Sequence, residues 1–177
     1  MNKIKDFFQS LKAAWRLRKN LFRDPVTNLY NRHYFREIAQ KELAIARRYD
    51  NKLTFVFIDV DNFKQVNDKF GHRKGDEVLR KVGLILKEES RDSDIVARWG
   101  GDEFIMLLTK TNSRKAMILI KRIQEIFSHY VREEELNENL GLSFGVEEGQ
   151  EETMKEIISK ADQQMYLRKK NKKNHNK

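Results

Sequence analysis

The 177-residue chain contains no cysteine. That excludes disulfides, thiolate zinc centres and thiol catalysis together, and makes a reducing cytoplasm its expected home. Proline occurs once, at Pro25, in a composition that is 39% apolar and 36% charged and therefore globular. No run approaches the roughly 18 consecutive apolar residues that a membrane span requires. The basic N-terminus lacks the apolar core and small-residue cleavage site of a secretory signal. The length suits one domain with a sizeable core and is short for two.

The net charge of +9 is unevenly spread. Residues 1–23 carry seven Lys/Arg against one Asp, and residues 168–177 carry six Lys/Arg and no acid, so each end is +6. The intervening stretch, with 23 bases and 26 acids, is −3. A nucleic-acid-binding domain would carry its basicity on a folded face, so the charge is a poor argument for nucleic acid. Residues 3–23 place Ile4, Phe7, Phe8, Leu11, Ala14, Trp15 and Leu21–Phe22 at helical spacing with basic residues between. The expectation is an amphipathic N-terminal helix over 1–23 that packs on the domain body or on a second protomer. An acidic membrane surface is its second candidate contact. A domain over 24–170 and a basic tail over 171–177 follow.

Beyond Asp24-Pro25, which breaks the helix, the pattern predicts a helix from Asn31 to Arg48. LTFVFIDV (53–60) reads as a buried strand. A short helix over 62–69, a longer one carrying Val78 to Leu86, and strands at 95–98 and 103–109 come next. The Gly100-Gly101 pair between those strands predicts a tight hairpin turn. A helix over 113–130, a strand over 140–146 and a helix over 152–170 complete the chain. This order is the βαββαβ arrangement of an α+β, ferredoxin-like fold: a palm-type antiparallel central sheet with flanking helices. In that topology the first strand lies beside the hairpin, so Asp59 at its end and Asp102 in the turn converge at one edge.

Carboxylates gathered without Cys or His suit a hard, oxygen-seeking cation such as Mg²⁺, which borrows further oxygens from water and substrate phosphates. The competing reading of Asp59 and Asp61 is that they cap the following helix. Lys64 is positioned to neutralise phosphate charge. Asn67 and Asp76 can read a purine edge, since a carboxylate accepts from the N1 and N2 donors of guanine. His72, between Gly71 and Arg73, is a candidate ligand contact.

These segments resemble the GGDEF diguanylate cyclase family from about Asp24 to Asn174. DPVTNLYNRHYF (24–35) is similar to the family's opening D-x-L-T-x-L-x-N-R-x-x-F. IDVDNFKQVNDKFGHRKGDEVL (58–79) matches the block D-x-D-x-F-K-x-x-N-D-x-x-G-H-x-x-G-D-x-x-L. RWGGDEF (98–104) is the signature, and SFGV (143–146) and ADQQMY (161–166) resemble the two later blocks.

The resemblance implies condensation of two GTP into cyclic di-GMP and two pyrophosphates across a symmetric homodimer. Asp59, the Val60 carbonyl and Asp102 would hold Mg²⁺, with Mn²⁺ as a substitute. Asp102 would help deprotonate the 3′-hydroxyl, and Glu103 would assist with metal or substrate. Lys64 would stabilise the transition state, Asn67 and Asp76 would read guanine, and His72 would line the pocket. Relatives that accept ATP carry Ser at the position of Asp76, so its retention favours GTP. The family's later A-K-x-x-G-R-N appears here as RKKNKKN (168–174). Lys169 is kept for the triphosphate, while Lys173 stands where Arg is usual and loses the bidentate fork. Asn28 replaces a usual Gly. Arg91 and Asp94 fall at the register of the family's R-x-x-D site, where product binds and inhibits.

The alternative from another class is a non-catalytic GGDEF module that senses GTP or cyclic di-GMP. Such domains usually lose signature carboxylates, whereas Asp59, Lys64, Asp102 and Glu103 are all present. The sequence is compatible with a stand-alone cyclase and with a piece of a longer sensor protein.

Overall fold

The computed structural model describes residues 21–136, 139–149 and 152–175, with side chains to Lys170. Most of the helix expected over 1–23, and the side chains of the tail over 171–177, lie outside the described residues. In chain order the elements are β1 (Tyr30–Asn31), α1 (Arg32–Tyr49), β2 (Leu53–Asp61), α2 (Phe63–Phe70), α3 (His72–Glu88), β3 (Ile95–Gly100), β4 (Glu103–Thr109), α4 (Ser113–Glu133), β5 (Gly141–Gly149) and α5 (Met154–His175). The backbone helix of α5 thus runs past residue 170 into the stretch expected as a tail.

The sheet order is β1-β3-β4-β2-β5. The four long strands pair antiparallel in the ferredoxin-like order. The two-residue β1 adds a parallel edge on β3, through Tyr30 opposite Ala97 and Asn31 opposite Arg98, so the whole sheet is mixed. Two residues are too few to leave a period-two signal, which is why pattern reading does not find this strand.

β2 is apolar on both faces because both are covered, and all nine of its residues are buried. Val56, Ile58 and Val60 join Phe104, Met106 and Phe144 under α3 and α4. Phe55 and Phe57 join Ile105 and Leu107 under α1 and α5. The helices supply matching stripes, as Phe35, Ala39, Leu43 and Ala46 do on α1. Asn31 caps α1 by accepting from the Tyr34 N–H at 3.0 Å, and Asn112 caps α4 through the Lys115 N–H at 3.0 Å.

Two sequence features acquire reasons here. Asn28 has φ 58°, a left-handed conformation in which Gly is free of strain and Asn is among the better tolerated side chains. Gly145, in SFGV, lies under α5 so closely that a Cβ there would come within 1.7 Å of the Ala161 carbonyl oxygen. The SFGV and ADQQMY blocks are the two sides of one strand–helix contact.

Candidate functional site

The site is built where β2 ends and β4 and β5 begin. Side chains alternate across a strand, so Asp59 and Asp61 follow Phe55 and Phe57 onto the face covered by α5. Asp59 sits opposite Glu103 on β4 and opposite Ser143 on β5. The Val60 N–H donates to the Asp102 carbonyl at 3.1 Å, which pins the hairpin turn against the end of β2. Gly101 alone of the glycine pair takes a positive φ, 53°. One left-handed residue therefore suffices for the turn.

The resulting crowd of carboxylates is electrostatically strained. Burial pushes the Asp59 carboxyl up, and the charges of Asp102 and Asp61 add to that shift, against the opposing Lys169. Burial also raises Glu103, reinforced by Asp59, Asp162 and Asp102 and opposed by Arg32. From α5 the Lys169 ammonium donates a short hydrogen bond to Asp59 Oδ1. Burial works against the Lys169 charge, but that bond and the charges of Asp59, Asp61 and Asp102 outweigh it, and its pKa is raised. The Ser143 hydroxyl donates to Asp61 Oδ1 at 2.7 Å.

The N-cap position of α2 is taken by Asn62 rather than by either Asp, and Asn62 makes no side-chain capping bond. The donors at this edge are carboxylate and carbonyl oxygens, and two of the acids carry raised pKa values, so a hard divalent cation fits their chemistry and would relieve their repulsion. Among the described residues no three His, Cys, Asp or Glu side chains are grouped to hold an ion unaided. The ion's remaining oxygens would come from the Val60 backbone, water and nucleotide phosphates.

The expected nucleotide contacts lie on the α2–α3 pair beside this edge. Lys64 is exposed in the first turn of α2, and His72 is exposed at the start of α3. Asn67 and Asp76 are half-buried. The Asn67 carboxamide lies against Gly75, where a Cβ would come within 2.0 Å of its Oδ1, so Gly75 allows the two helices to close around Gly71. This contact brings Asn67 beside the turn of α3 that carries Asp76. Lys173 belongs to α5, but its side chain is outside the described residues.

Arg91 and Asp94 are at the other end of the hairpin, separated from the Gly-Gly turn by the length of β3. Arg91 is exposed. Asp94 is buried, and its carboxylate accepts from the Arg91 N–H at 3.1 Å and the Thr109 N–H at 3.0 Å. The structure thus gives Asp94 a fold-holding duty that the R-x-x-D spacing does not reveal.

Sequence reasoning also missed a bracing residue, Arg98. Its Nε and Nη2 donate to the Gly101 carbonyl at 3.0 and 2.7 Å, and its Nη1 donates to Asp24. Asp24 in turn accepts from the Thr27 N–H and hydroxyl, both at 2.8 Å. The D-P-x-T string is an Asx-turn signal that could have located Asp24; nothing local points to Arg98. Beside Glu103 opens a cavity of about 630 Å³, lined by Arg32, Arg36, Trp99, Lys155 and Asp162 among others. Trp99 packs edge-on to Phe35 and Phe57, with the Arg32 guanidinium 4.4 Å from its ring centre.

Comparison with known proteins identifies the family. The family model for "Diguanylate cyclase, GGDEF domain" matches residues 21–175. The chain is 43% identical over 101 residues to the diguanylate cyclase DosC of Escherichia coli K12, covering 57% of this chain and 22% of DosC. It therefore spans well under half of that curated relative's length. Among solved structures, the GGDEF-containing DgcB of Caulobacter crescentus, in complex with c-di-GMP, superposes with TM-score 0.82 at 23% identity, covering 96% of this chain and 92% of that one. That likeness is one of fold. The diguanylate cyclase SiaD of Pseudomonas aeruginosa, solved with its activator SiaC, gives TM-score 0.78 at 31% identity, covering 97% of this chain and 67% of SiaD. With the family match running through nearly all described residues and the signature turn set at the end of β2, the chain belongs to the GGDEF-domain diguanylate cyclase family.

Proposed function

We propose that this domain condenses two GTP molecules into cyclic di-GMP with release of two pyrophosphates, working as a twofold pair. The observation that carries the proposal is the meeting of Asp59, Asp102 and Glu103 at one sheet edge, two of them with pKa values raised by burial and mutual charge. Asp59, Asp102 and the Val60 carbonyl are the groups that would hold Mg²⁺, or Mn²⁺ in its place. Such an ion supplies charge neutralisation at the triphosphate and polarises the phosphoryl group under attack.

The remaining roles belong to the chain's own residues. Asn67 and Asp76 orient guanine, with His72 lining the pocket, and Lys169 and Lys173 neutralise the phosphates. Asp102, assisted by Glu103, accepts the proton of a 3′-hydroxyl as that oxygen bonds to the α-phosphorus of the opposite nucleotide. The α–β anhydride bond breaks and pyrophosphate leaves, its charge balanced by Lys64. The same step in the reverse sense closes the ring. One domain orients one GTP, so a second copy must present the other, which is the reason for the twofold pair. Product binding at Arg91 and Asp94 would restrain the reaction.

Retention of Asp59, Lys64, Asp102 and Glu103 supports catalysis over a purely sensory role. Incubation with GTP and Mg²⁺ at protein concentrations that force pairing, followed by chromatography, is expected to yield cyclic di-GMP. Asp102→Ala is expected to yield none. Absence of product from the wild type would turn the reading to nucleotide sensing.

A further inference from the structure

The Lys169–Asp59 contact is the feature that the cyclase reading does not absorb. That reading sends Lys169 to the triphosphate. Here its ammonium is instead on Asp59 Oδ1, the oxygen-donor group that reading assigns to the cation. Lys169 is three-quarters covered and Asp59 nine-tenths covered, so the pair is shielded from the solvent that weakens surface ion pairs. Its surroundings explain its location. Asp59 lies among the like charges of Asp61 and Asp102 in a poorly solvated corner, where a carboxylate without a counter-charge is costly. α5 crosses that corner because Gly145 lets Ala161 approach β5 closely, and Lys169 follows Ala161 two helical turns later on the same face.

We infer that Lys169 is the resident counter-cation of Asp59, and that it is exchanged for a divalent ion only when nucleotide phosphates arrive to receive its ammonium. The inference rests on Asp59 being a cation ligand. The divalent ion alone must displace a charge already in place, and brings no new anion to receive the departing ammonium. Arrival of the ion together with a triphosphate gives both cations an anionic partner. Lys169 thereby makes the binding of metal and nucleotide mutually dependent, and keeps Asp59 neutralised between turnovers. The same coupling makes each ligand raise the other's affinity by an equal factor.

The test uses the full chain and Mn²⁺ alone, with free Mn²⁺ followed by electron paramagnetic resonance in the absence of nucleotide. Lys169→Met, which keeps the length of the side chain and removes its charge, is expected to bind Mn²⁺ at least about tenfold more tightly than wild type. Lys170→Met removes an equal charge from the exposed neighbouring position and is expected to stay within about twofold. Asp59→Asn should abolish the tight site in the Lys169→Met background. A non-hydrolysable GTP analogue is then expected to strengthen Mn²⁺ binding to wild type by a larger factor than to Lys169→Met.

Unchanged or weaker Mn²⁺ binding by Lys169→Met would overturn the inference. So would equal tightening by Lys170→Met, which would reduce the effect to net charge. Should Lys169→Met fail to fold by circular dichroism, Lys169→Gln serves the same comparison. The nucleotide-free measurement stands apart from catalysis. A wild type that makes no cyclic di-GMP sinks the proposed function without altering the Mn²⁺ result, and a negative Mn²⁺ result leaves product formation untouched.

Discussion

Arg98 and Asp24, 74 residues apart in sequence, are joined through Arg98 Nη1 at 3.1 and 3.2 Å from the two carboxylate oxygens. The rest of the same guanidinium holds the Gly101 carbonyl. One planar fork thus ties the turn that opens the domain to the turn that carries Asp102.

Asp24→Asn is expected to weaken the fold at neutral pH by about 2 kcal/mol, since a hydrogen-bonded carboxylate is replaced by a neutral amide. Burial alone would raise the Asp24 carboxyl, but the bonds from Thr27 and Arg98 prevail and hold it below the ordinary value of 3.8. The folded state then binds this proton less readily than the unfolded chain. Its contribution is complete above pH 3.8 and is lost as pH falls below that value through the folded-state pKa. Urea unfolding of both proteins across this range should show the gap closing in acid. A deficit that persists undiminished at pH 3 would refute the linkage.

Gly145→Ala should be among the most damaging single-atom changes in the domain. The added carbon would meet the Ala161 carbonyl oxygen at 1.7 Å and the Met165 nitrogen at 2.8 Å, both backbone atoms that cannot rotate away. A loss of about 3 kcal/mol or more is expected in thermal or urea unfolding. Gly100→Ala, with nothing within 4 Å, is the contrast and should change stability by less than about 0.5 kcal/mol. If Gly100→Ala folds normally yet loses activity, the lost element is close approach of nucleotide to the hairpin.

The two members of the R-x-x-D pair should separate in a stability assay. Arg91→Ala removes an exposed side chain and should leave unfolding unchanged while abolishing product inhibition. Asp94→Ala leaves the part-buried N–H groups of Arg91 and Thr109 without their acceptor, at a cost of about 1–3 kcal/mol. Inhibition that survives Arg91→Ala would remove the regulatory proposal.

Base selectivity should follow Asp76. Asp76→Ser removes the carboxylate that accepts from guanine, and kcat/KM for GTP is expected to fall by roughly 100-fold with a smaller change for ATP. Equal use of ATP and GTP by the wild type would show that Asp76 does not read the base.

Much of the fold was legible because its signals are local. The largely apolar, β-branched and aromatic run at 53–58 announced a strand covered on both faces, and the stripe through Phe35, Ala39 and Leu43 announced a helix with one core-facing side. β1 was not legible, being two residues long and defined only by its partner on β3. Asn28 shows the same divide: its departure from the usual glycine is visible in sequence, but its positive φ is a property of the folded turn.

The candidate site divides along the same line. The residue types and spacings of D-x-D, of the Gly-Gly turn with its two acids, and of the α2–α3 block are properties of short segments, so the sequence by itself determined an oxygen-rich sheet edge and the family. Tertiary structure decided which of those groups touch. Strand register set Glu103 opposite Asp59, and the Gly145–Ala161 approach carried Lys169 onto Asp59 from 110 residues away. Asp94 was turned inward to the Thr109 backbone, and Arg98 was stretched between two turns. Those outcomes depend on how far apart two elements settle once their cores are packed. Packing distance is a sum over many contacts, and no short stretch of sequence encodes it.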